Sequence, residues 1–481
     1  MKFKMSVTGL ALSVVAVFTA YVSVQYNPEG DFETKRNYDG KSVAITAYKG
    51  SSPIISIPPV INRMPVTVIG EGAFKDHTGL TSITIPDSVW RIGDWAFAGC
   101  IGLTDVTIGS GVTVIGDYAF AGCSGLRSIN IPGSVTKVGN YAFFECNGLT
   151  DVTIGKRVTE IGYGAFLNCT SLANIIIPDS VTAIRNGAFS ICDSLTSITI
   201  PDSVMVIGNG AFSNCASLTK IIVSPNNQNY SSRDGVLYNK EQTMLIQVPG
   251  GIKGSFTVPD SVMYIYHGAF TFCKSLTDIA IPDSVMGIGE RVFYHCYNLT
   301  GITVSPNNQN YSSRDGVLYD KEQTLLIQAP GAMGGSFTVP DSVTAIDEGA
   351  FISCRNLTSV NIGHNVTVID DLAFSYCFGL TSVTVGNNVM EIGNGAFYYC
   401  TSLTNVTIGN GVTEIGNGAF SNCTSLTSIT VLAVTPPALG WVNIFEETHS
   451  NLRIEVPAAN VEAYKAAPEW REFADRITAI R

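Results

Sequence analysis

The sequence predicts a solenoid, in which about fifteen similar coils stack and together form one parallel β-sheet. The twelve cysteines recur every 23 residues, apart from two intervals of 58 residues. A Phe precedes each Cys by three residues, and a Leu follows each Cys by three residues. One earlier segment keeps Phe74 and Leu80 but has His77 in the Cys position, which makes thirteen aligned units. A fixed period of this length is typical of solenoids, because one unit cannot bury its apolar face without neighbours.

Each unit begins with a short predicted strand. The third and fifth positions after the Leu are Ile or Val in all thirteen units, as in Ile83 and Ile85, and mostly polar residues lie between them. This alternation predicts a strand with one buried face. The pattern L-x-x-[IV]-x-[IV], at 23 residues per unit, is that of a leucine-rich repeat. The predicted fold class is therefore a leucine-rich-repeat solenoid with few helices.

A turn and a returning segment complete each unit. P-D-S, G-S-G or G-N-N follows the strand, and these residues favour turns because Pro cannot continue a ladder while Gly and Asn accept positive φ. The next segment, I-G-x-G-A-F, is expected to cross the back of the coil and place its Ile, Ala and Phe in the core. Such units are predicted over residues 71–431.

The two long intervals each contain one divergent coil, of 35 residues, at about 224–258 and 305–339. Both begin with the identical segment SPNNQNYSSRDGVLY and end in GSFTVPDSV, which resumes the strand pattern. With these two coils, the predicted sheet has fifteen strands. Duplicated segments of this kind indicate architecture rather than a unique pocket.

Caps are expected at both ends, because the terminal coils of an array expose core residues. Residues 28–70 contain short strand-like runs broken by Gly and Pro, and we predict an N-terminal cap there. Residues 432–481 are predicted to form a C-terminal cap. In it a helix is expected to begin at Pro468 and to place Trp470, Phe473 and Ile477 on one face.

Residues 1–27 are predicted to be a signal peptide or an N-terminal anchor. Lys2 and Lys4 precede an uncharged stretch, and Val17 and Ala20 fit the small-residue rule for cleavage after Ala20. An uncleaved anchor is the alternative, because the stretch is long enough to cross a bilayer. Both interpretations place the remaining chain outside the cytoplasm, as a secreted or cell-surface protein, and only the uncleaved form would contact the membrane.

Charge and side-chain patterns exclude several classes of function. The net charge is −11, from 28 Lys plus Arg and 39 Asp plus Glu, and no basic cluster occurs, which argues against nucleic-acid binding. The five histidines are scattered and form no zinc-binding motif, and no phosphate-binding Gly loop is present. The sequence therefore predicts no metal, no cofactor and no catalytic residues.

The cysteines are expected to be small core residues. One Cys per coil at a fixed position places neighbouring side chains parallel and about one strand spacing apart, whereas a disulfide needs Cβ atoms about 3.8 Å apart and facing each other. A buried thiol that packs as a small apolar group fits the pattern better.

The repeat IPDSVTxIGxGAFxxCxxLTSI, the DGVLY segment and the ending TPPALG…LRIEVPAANVEAYKAA…ADRI together resemble the BspA-like leucine-rich-repeat family. The resemblance covers nearly all of the chain after residue 30. It implies a secreted or surface-displayed protein of mucosal bacteria or protozoa that adheres to host matrix glycoproteins, cells or other microbes. It offers no catalytic residues to transfer, and the recognition residues of the family differ between members.

Two sets of residues are candidates for binding. The outward-facing positions of the predicted strands are rich in Thr, including Thr104, Thr107, Thr150 and Thr153, and form a mildly polar surface. Thr is also a common strand residue, so solubility and β-propensity explain these columns equally well.

The second set is aromatic. The position two residues before the Phe is usually Gly, yet Trp95, Tyr118 and Tyr141 occupy it in three consecutive units, with Trp90 in the same unit as Trp95. We expect the three rings to stack as a ladder. Clustered aromatic side chains favour binding hot spots, although packing along the edge of the solenoid is the simpler explanation.

These observations favour an extracellular interaction protein that binds a protein or a glycan, including a host matrix glycoprotein. A structural component of a surface layer is the alternative. An enzyme or sensor that uses the divergent coils is less consistent with their duplication.

Overall fold

A computed structural model describes residues 25–441 and 444–480. Within them, the chain forms a solenoid in which each coil contributes one strand to each of two sheets. Nearly all of the segment predicted as a signal peptide or anchor lies outside the described residues.

The first sheet, named here the front sheet, contains the strands that the alternation predicts. Paired strands in it are parallel, and between regular coils the register is 23 residues, so that Ser82 pairs with Asp105 and Ile83 pairs with Val106. All fifteen predicted strands are present, and three more lie in the predicted caps. Backbone hydrogen bonds join these strands into five separate ladders rather than into the one continuous sheet that the sequence predicts. The front-sheet strands are Ile54–Ser56, Ser82–Ile85, Asp105–Ile108, Ser128–Asn130, Asp151–Thr153, Asn174–Ile175, Ser197–Ile200, Lys220–Val223, Gly254–Thr257, Leu276–Ile281, Gly301–Val304, Gly334–Thr338, Asn356–Asn361, Ser382–Thr384, Asn405–Ile408, Ser428–Val431, Arg453–Val456 and Ile477–Ala479.

The second sheet, named here the rear sheet, lies on the returning side of the coil. In a regular coil its strand is two residues long, and Arg91–Ile92 pairs in parallel with Val114–Ile115. The rear strands form three separately hydrogen-bonded ladders, of ten, five and eight strands. The rear-sheet strands are Phe32–Arg36, Val43–Tyr48, Val60–Ile61, Met64–Ile69, Arg91–Ile92, Val114–Ile115, Lys137–Val138, Glu160–Ile161, Ala183–Ile184, Val206–Ile207, Tyr230–Arg233, Val236–Asn239, Met244–Gln247, Tyr264–Ile265, Gly287–Ile288, Tyr311–Arg314, Val317–Asp320, Leu325–Gln328, Ala345–Ile346, Val368–Ile369, Glu391–Ile392, Glu414–Ile415 and Ala438–Leu439. The sequence analysis did not predict this sheet, because a two-residue strand has no alternation to detect.

Between the rear strand and the Cys the chain turns a tight corner that supplies the core. The corner Phe rings stack along the array, with Phe97 and Phe120 5.0 Å apart between ring centroids. All twelve Cys residues are buried and free. In most coils the Sγ–H donates a hydrogen bond to the carbonyl oxygen of the Phe in the preceding coil, as in Cys146 to Phe120 at 3.2 Å. The prediction that the cysteines are small buried core residues is confirmed.

Each divergent coil carries a β-hairpin between its front strand and its rear strand, and the corner after the rear strand is short, as in residues 248–253. Tyr230–Arg233 pairs antiparallel with Val236–Asn239, and Asp234 and Gly235, with φ of 53° and 84°, form the tight turn typical of Asp-Gly. Asn227 lies fully buried before the hairpin. Its amide donates to the carbonyl oxygens of Pro201 and Val204 and accepts from two backbone N–H groups. Asn308 repeats these bonds in the second divergent coil, which explains structurally why the two segments are identical.

The hairpins also divide the core of the described residues into three clusters. In the first hairpin, Leu237 packs into the N-terminal cluster, whereas Val236 and Tyr238 pack into the central one. In the second, Leu318 belongs to the central cluster and Val317 to the C-terminal one. Each hairpin strand therefore separates two cores, with one face toward each.

The C-terminal segment differs from the prediction in one respect. The α-helix is Val461–Ala466, and it ends before Pro468 instead of beginning there. The 3-10 helices are Glu29–Asp31, Ala458–Asn460 and Arg471–Arg476. The α-helix ends before Pro468 because Pro restricts the residue before it to extended backbone, and Ala467 has ψ of 136°. The predicted helix start was wrong, since the chain after Pro468 forms the 3-10 helix Arg471–Arg476 instead of an α-helix. Trp470 is nevertheless buried, and its Nε1–H donates to the carbonyl oxygen of Pro437 at 2.8 Å.

Of the helices in the described part of the chain, none has the length and apolar character needed to span a membrane.

Candidate binding site

The corners impose an unusual backbone conformation at two fixed positions. The residue two before the Phe has φ between 53° and 64° in all thirteen units, and we call this the first left-handed position. The residue directly before the Cys, or before His77 in the earliest unit, has φ between 57° and 73°, and we call this the second left-handed position. Positive φ favours Gly because a Cβ atom crowds the following carbonyl oxygen. Gly therefore occupies the first position in eight of the thirteen units.

Trp95, Tyr118 and Tyr141 occupy the first left-handed position, with φ of 59°, 55° and 55°. The ring centroids of Trp95 and Tyr118 are 4.0 Å apart with an interplanar angle of 4°. Those of Tyr118 and Tyr141 are 4.8 Å apart at 15°. The predicted stacking of these three rings, named here the aromatic ladder, is confirmed, whereas a binding role for it remains a prediction.

The aromatic ladder is partly exposed and has a defined start and end. The Trp95 side chain is 37% exposed, and the Lys75 ammonium lies 5.3 Å from its ring centroid. The Tyr141 ring covers Gly164, where an added Cβ would lie 2.4 Å from the Tyr141 ring. Burial, with Tyr141 and Asp117 nearby, raises the pKa of the Tyr118 hydroxyl. The phenol is thus neutral at physiological pH and presents an uncharged ring to a ligand.

Trp90 lies elsewhere in its coil. It directly precedes the rear strand Arg91–Ile92, and its carbonyl oxygen accepts a hydrogen bond from Thr113 Oγ1 at 3.1 Å. Its side chain is 47% exposed. The ring contacts found within the described residues do not join Trp90 to Trp95, so the structure does not extend the aromatic ladder to it.

The four candidate threonines fall into two structural groups. Thr104 and Thr150 precede their front strands, and their hydroxyls donate to the carbonyl oxygens of Thr81 at 3.0 Å and Arg127 at 3.1 Å, one coil back. These hydroxyls join neighbouring coils, so a structural role explains them. Thr107 and Thr153 are exposed on the front sheet. The same position of the next coil is occupied by Ile176, which is 83% exposed. The front sheet is therefore a separate surface from the aromatic ladder.

A second group of rings escaped the sequence analysis. Phe272, His295, Tyr376 and Tyr399 all occupy the second left-handed position, with φ between 57° and 62°. The signal was available in the sequence, because each directly precedes a Cys. The interval of 58 residues between Cys296 and Cys354 concealed that His295 and Tyr376 belong to nearby corners.

Across the described ranges, no group of three or more His, Cys, Asp or Glu side chains has the arrangement needed to hold a metal ion. The buried cysteines also lack the properties of catalytic nucleophiles. Burial raises the pKa of the Cys100 thiol to about 12. Such a thiol is protonated at neutral pH and is a poor nucleophile.

The two sheets, the stacked corners and the exposed rings define a leucine-rich-repeat solenoid, a class of protein that typically acts by binding along its extended surface. The chain belongs to the BspA-type leucine-rich-repeat family. The pattern of the BspA type leucine rich repeat region matches residues 54–173, 137–253, 252–315 and 335–435.

The chain is similar to several solved structures of bacterial leucine-rich-repeat proteins. A leucine-rich cell surface protein of Faecalibacterium prausnitzii is 30% identical, over 85% of this chain and 95% of its own, with a TM-score of 0.52. A leucine-rich repeat protein of T. pallidum is 30% identical, over 40% of this chain and 91% of its own, with a TM-score of 0.39. One from Bacteroides ovatus is 22% identical, over 89% of this chain and 98% of its own, with a TM-score of 0.42. No curated protein matches the chain in sequence.

Proposed function

We propose that this chain is a secreted or cell-surface scaffold that adheres to an extracellular protein or glycan through the aromatic ladder. The observation that carries the proposal is the backbone conformation of Trp95, Tyr118 and Tyr141. Each places a bulky ring at φ near 55° to 59°, where the corner accepts Gly without strain in eight other units.

The rings are costly at these positions. A non-Gly residue in left-handed backbone costs about 1–2 kcal/mol, and strained residues cluster at functional sites. Stacking offsets part of this cost, since aromatic pairs contribute about 0.5–1.5 kcal/mol beyond their buried area. Because the ladder does not fill the core and Trp95 stays 37% exposed, stability alone is a weak reason to keep three such rings in a row.

The surface also has the chemistry of a binding site. Stacked aromatic rings with polar edges supply apolar area at low side-chain entropy, and such rings dominate many protein and sugar interfaces. The cell-surface relative from Faecalibacterium prausnitzii, by its description, supports an extracellular location for this chain.

The test is binding of the purified protein to a panel of matrix glycoproteins, glycans and epithelial cells. The variant Trp95→Gly/Tyr118→Gly/Tyr141→Gly removes the rings and restores the residue that other corners carry, so it should fold at least as well as the parent. We expect saturable binding to one partner and at least tenfold weaker binding by this variant, as for the loss of aromatic anchors.

A matched variant, Thr107→Lys/Thr153→Lys, changes the front sheet and leaves the ladder intact. If this variant loses binding and the glycine variant keeps it, the front sheet and not the ladder is the adhesive surface. If the parent protein binds no member of the panel and assembles with itself at micromolar concentration, the proposal gives way to a structural role in a surface layer.

A further inference from the structure

The second group of rings lies at a junction between corners that are far apart in sequence. The second divergent coil lies between the coils of Cys296 and Cys354, but its corner is short, and Cys354 Sγ–H donates to the carbonyl oxygen of Pro330 in it. The longer corners on either side therefore meet outside it. His295 Nδ1 is 3.1 Å from the hydroxyl of Ser353, although the two residues are 58 positions apart. Nearby, Arg291 and Glu348 form an ion pair of 2.8 Å across the same junction. These two contacts join the corner before Cys296 to the corner before Cys354.

The rings form a continuous surface over these corners. Phe272 and His295 stack with ring centroids 4.4 Å apart, and Tyr376 and Tyr399 stack at 5.5 Å. His295 links the two pairs at 6.3 Å from Tyr376. All are half-buried or, like Tyr399, 36% exposed. Four bulky residues in left-handed backbone at one junction repeat the kind of local strain that marks functional sites.

Two cations lie over aromatic rings of this junction, which also includes Tyr297 beside His295 and Phe378 beside Tyr376. The Arg355 guanidinium carbon is 3.8 Å from the centroid of Tyr297 and 5.4 Å from that of Phe378. The Lys274 ammonium is 5.5 Å from the centroid of Phe272. The ion pairs found within the described residues include neither cation, although the chain carries a net charge of −11. Arg355 is exposed, and its guanidinium has more donors than one ring hydroxyl can use.

The electrostatics of His295 agree with this picture. Burial first, and then the charges of Arg355 and Lys274, lower the pKa of His295 to about 4. The imidazole is therefore neutral at physiological pH, and the Tyr297 hydroxyl lies 3.0 Å from its Nδ1. The junction consequently presents neutral rings, hydroxyls and two cations with no carboxylate partner.

We propose that the surface formed by Phe272, Lys274, His295, Tyr297, Arg355, Tyr376, Phe378 and Tyr399, named here the junction surface, binds an anionic sugar residue. The flat rings match the C–H face of a pyranose, and the tyrosine hydroxyls match its hydroxyl groups. Arg355 and Lys274 supply charge-assisted hydrogen bonds to an acidic substituent. A cationic ligand, the other common occupant of aromatic clusters, would be repelled by both side chains. The junction surface is independent of the aromatic ladder and relies on the proposed function only for an extracellular location.

The test is calorimetric titration of the full chain with 3′-sialyllactose, a heparin-derived disaccharide and neutral lactose. We expect at least one of the anionic sugars to bind, lactose to bind at least tenfold more weakly, and Arg355→Gln to lose at least about tenfold in affinity. In saturation-transfer NMR, saturation of the aromatic protons of the protein should be transferred to the ring protons of the bound sugar. Binding of sialyllactose shows that a carboxylate suffices, whereas binding of the heparin disaccharide alone indicates that its sulfates are needed, and either result supports the proposal.

Arg314→Gln is the matched control, because Arg314 is an exposed arginine near Asp315 in a divergent coil. Lys274→Gln provides a second junction variant in case Arg355→Gln unfolds. Equal binding of lactose and sialyllactose, unchanged affinity in both junction variants, or binding of a polyglutamate peptide but of no sugar would each overturn the proposal. The Trp95→Gly/Tyr118→Gly/Tyr141→Gly variant should keep the sugar affinity, so failure of the adhesion proposal and failure of this one are distinguishable.

Discussion

The Sγ–H of Cys123 donates a hydrogen bond of 3.2 Å to the carbonyl oxygen of Phe97, one coil back. The same contact recurs along the array and connects successive corners through their buried cysteines. Each thiol thus combines the packing of a small apolar group with a hydrogen bond between coils.

This arrangement predicts that the native protein resists thiol reagents. Burial raises the pKa of Cys123 and of Cys146 well above the usual range, and reaction requires an accessible thiolate. We expect negligible labelling by iodoacetamide in native buffer and labelling of all twelve cysteines in guanidinium without reductant, measured by intact mass. A mass deficit from disulfides in the denatured sample, or rapid native labelling, would show that the corners are built differently.

The buried amide of Asn227 predicts a large effect from a small substitution. Asn227→Ala removes four hydrogen bonds and leaves buried backbone groups unpaired, so it should lower the free energy of unfolding by about 3 kcal/mol. Urea unfolding followed by circular dichroism measures this. Asn226→Ala changes the exposed neighbouring residue and should be nearly neutral. Similar effects of the two substitutions would contradict the assigned role of Asn227.

The close approach of successive rear strands predicts a contrast between two glycines of one coil. A Cβ at Gly139 would lie 2.5 Å from the backbone carbonyl of Gly116, whereas a Cβ at Gly133 would meet nothing within 4 Å. Gly139→Ala should therefore destabilise by about 2 kcal/mol, as overpacking does. Gly133→Ala should be neutral or stabilise by about 0.5 kcal/mol. Thermal unfolding of both variants checks the pair, and an equal shift in Tm would refute the packing of the coils.

The lowered pKa of His295 predicts a specific loss of stability in acid. Because its pKa in the folded protein is about 4, below the unfolded value of about 6.5, the unfolded chain binds the proton first. Stability should then fall as pH decreases from about 6.5 to about 4. Replacing the ring by His295→Gln should flatten this part of the pH profile. Ring NMR signals of His295 that titrate near pH 6.5 would contradict the assigned environment.

The front sheet was predictable because Ile83, Ile85 and their equivalents alternate with mostly polar residues, which is the pattern of a strand with one buried face. The rear sheet was not, since Arg91–Ile92 is too short to show a period. In the C-terminal cap, Trp470, Phe473 and Ile477 were expected on one face of a helix that begins at Pro468. Trp470 and Ile477 are buried, but the α-helix lies before Pro468.

The candidate sites divide in a similar way. The stacking of Trp95 on Tyr118 followed from their fixed position in consecutive units. The proximity of His295 and Ser353 did not follow, because the sequence does not show that the corner of the intervening divergent coil is short. The left-handed backbone at Trp95 could have been inferred from the glycines in the same column, which are the natural residues for that conformation.

The hairpin strands that separate the three cores have a mechanical consequence. Leu237 and Tyr238 are adjacent in sequence but contribute to different cores. Loss of one core therefore leaves the other face of the strand Val236–Asn239 packed. In a protein tethered at one end and pulled at the other, we expect the array to yield in three successive steps, with each step lengthening the chain and relieving the load on the coils that remain folded.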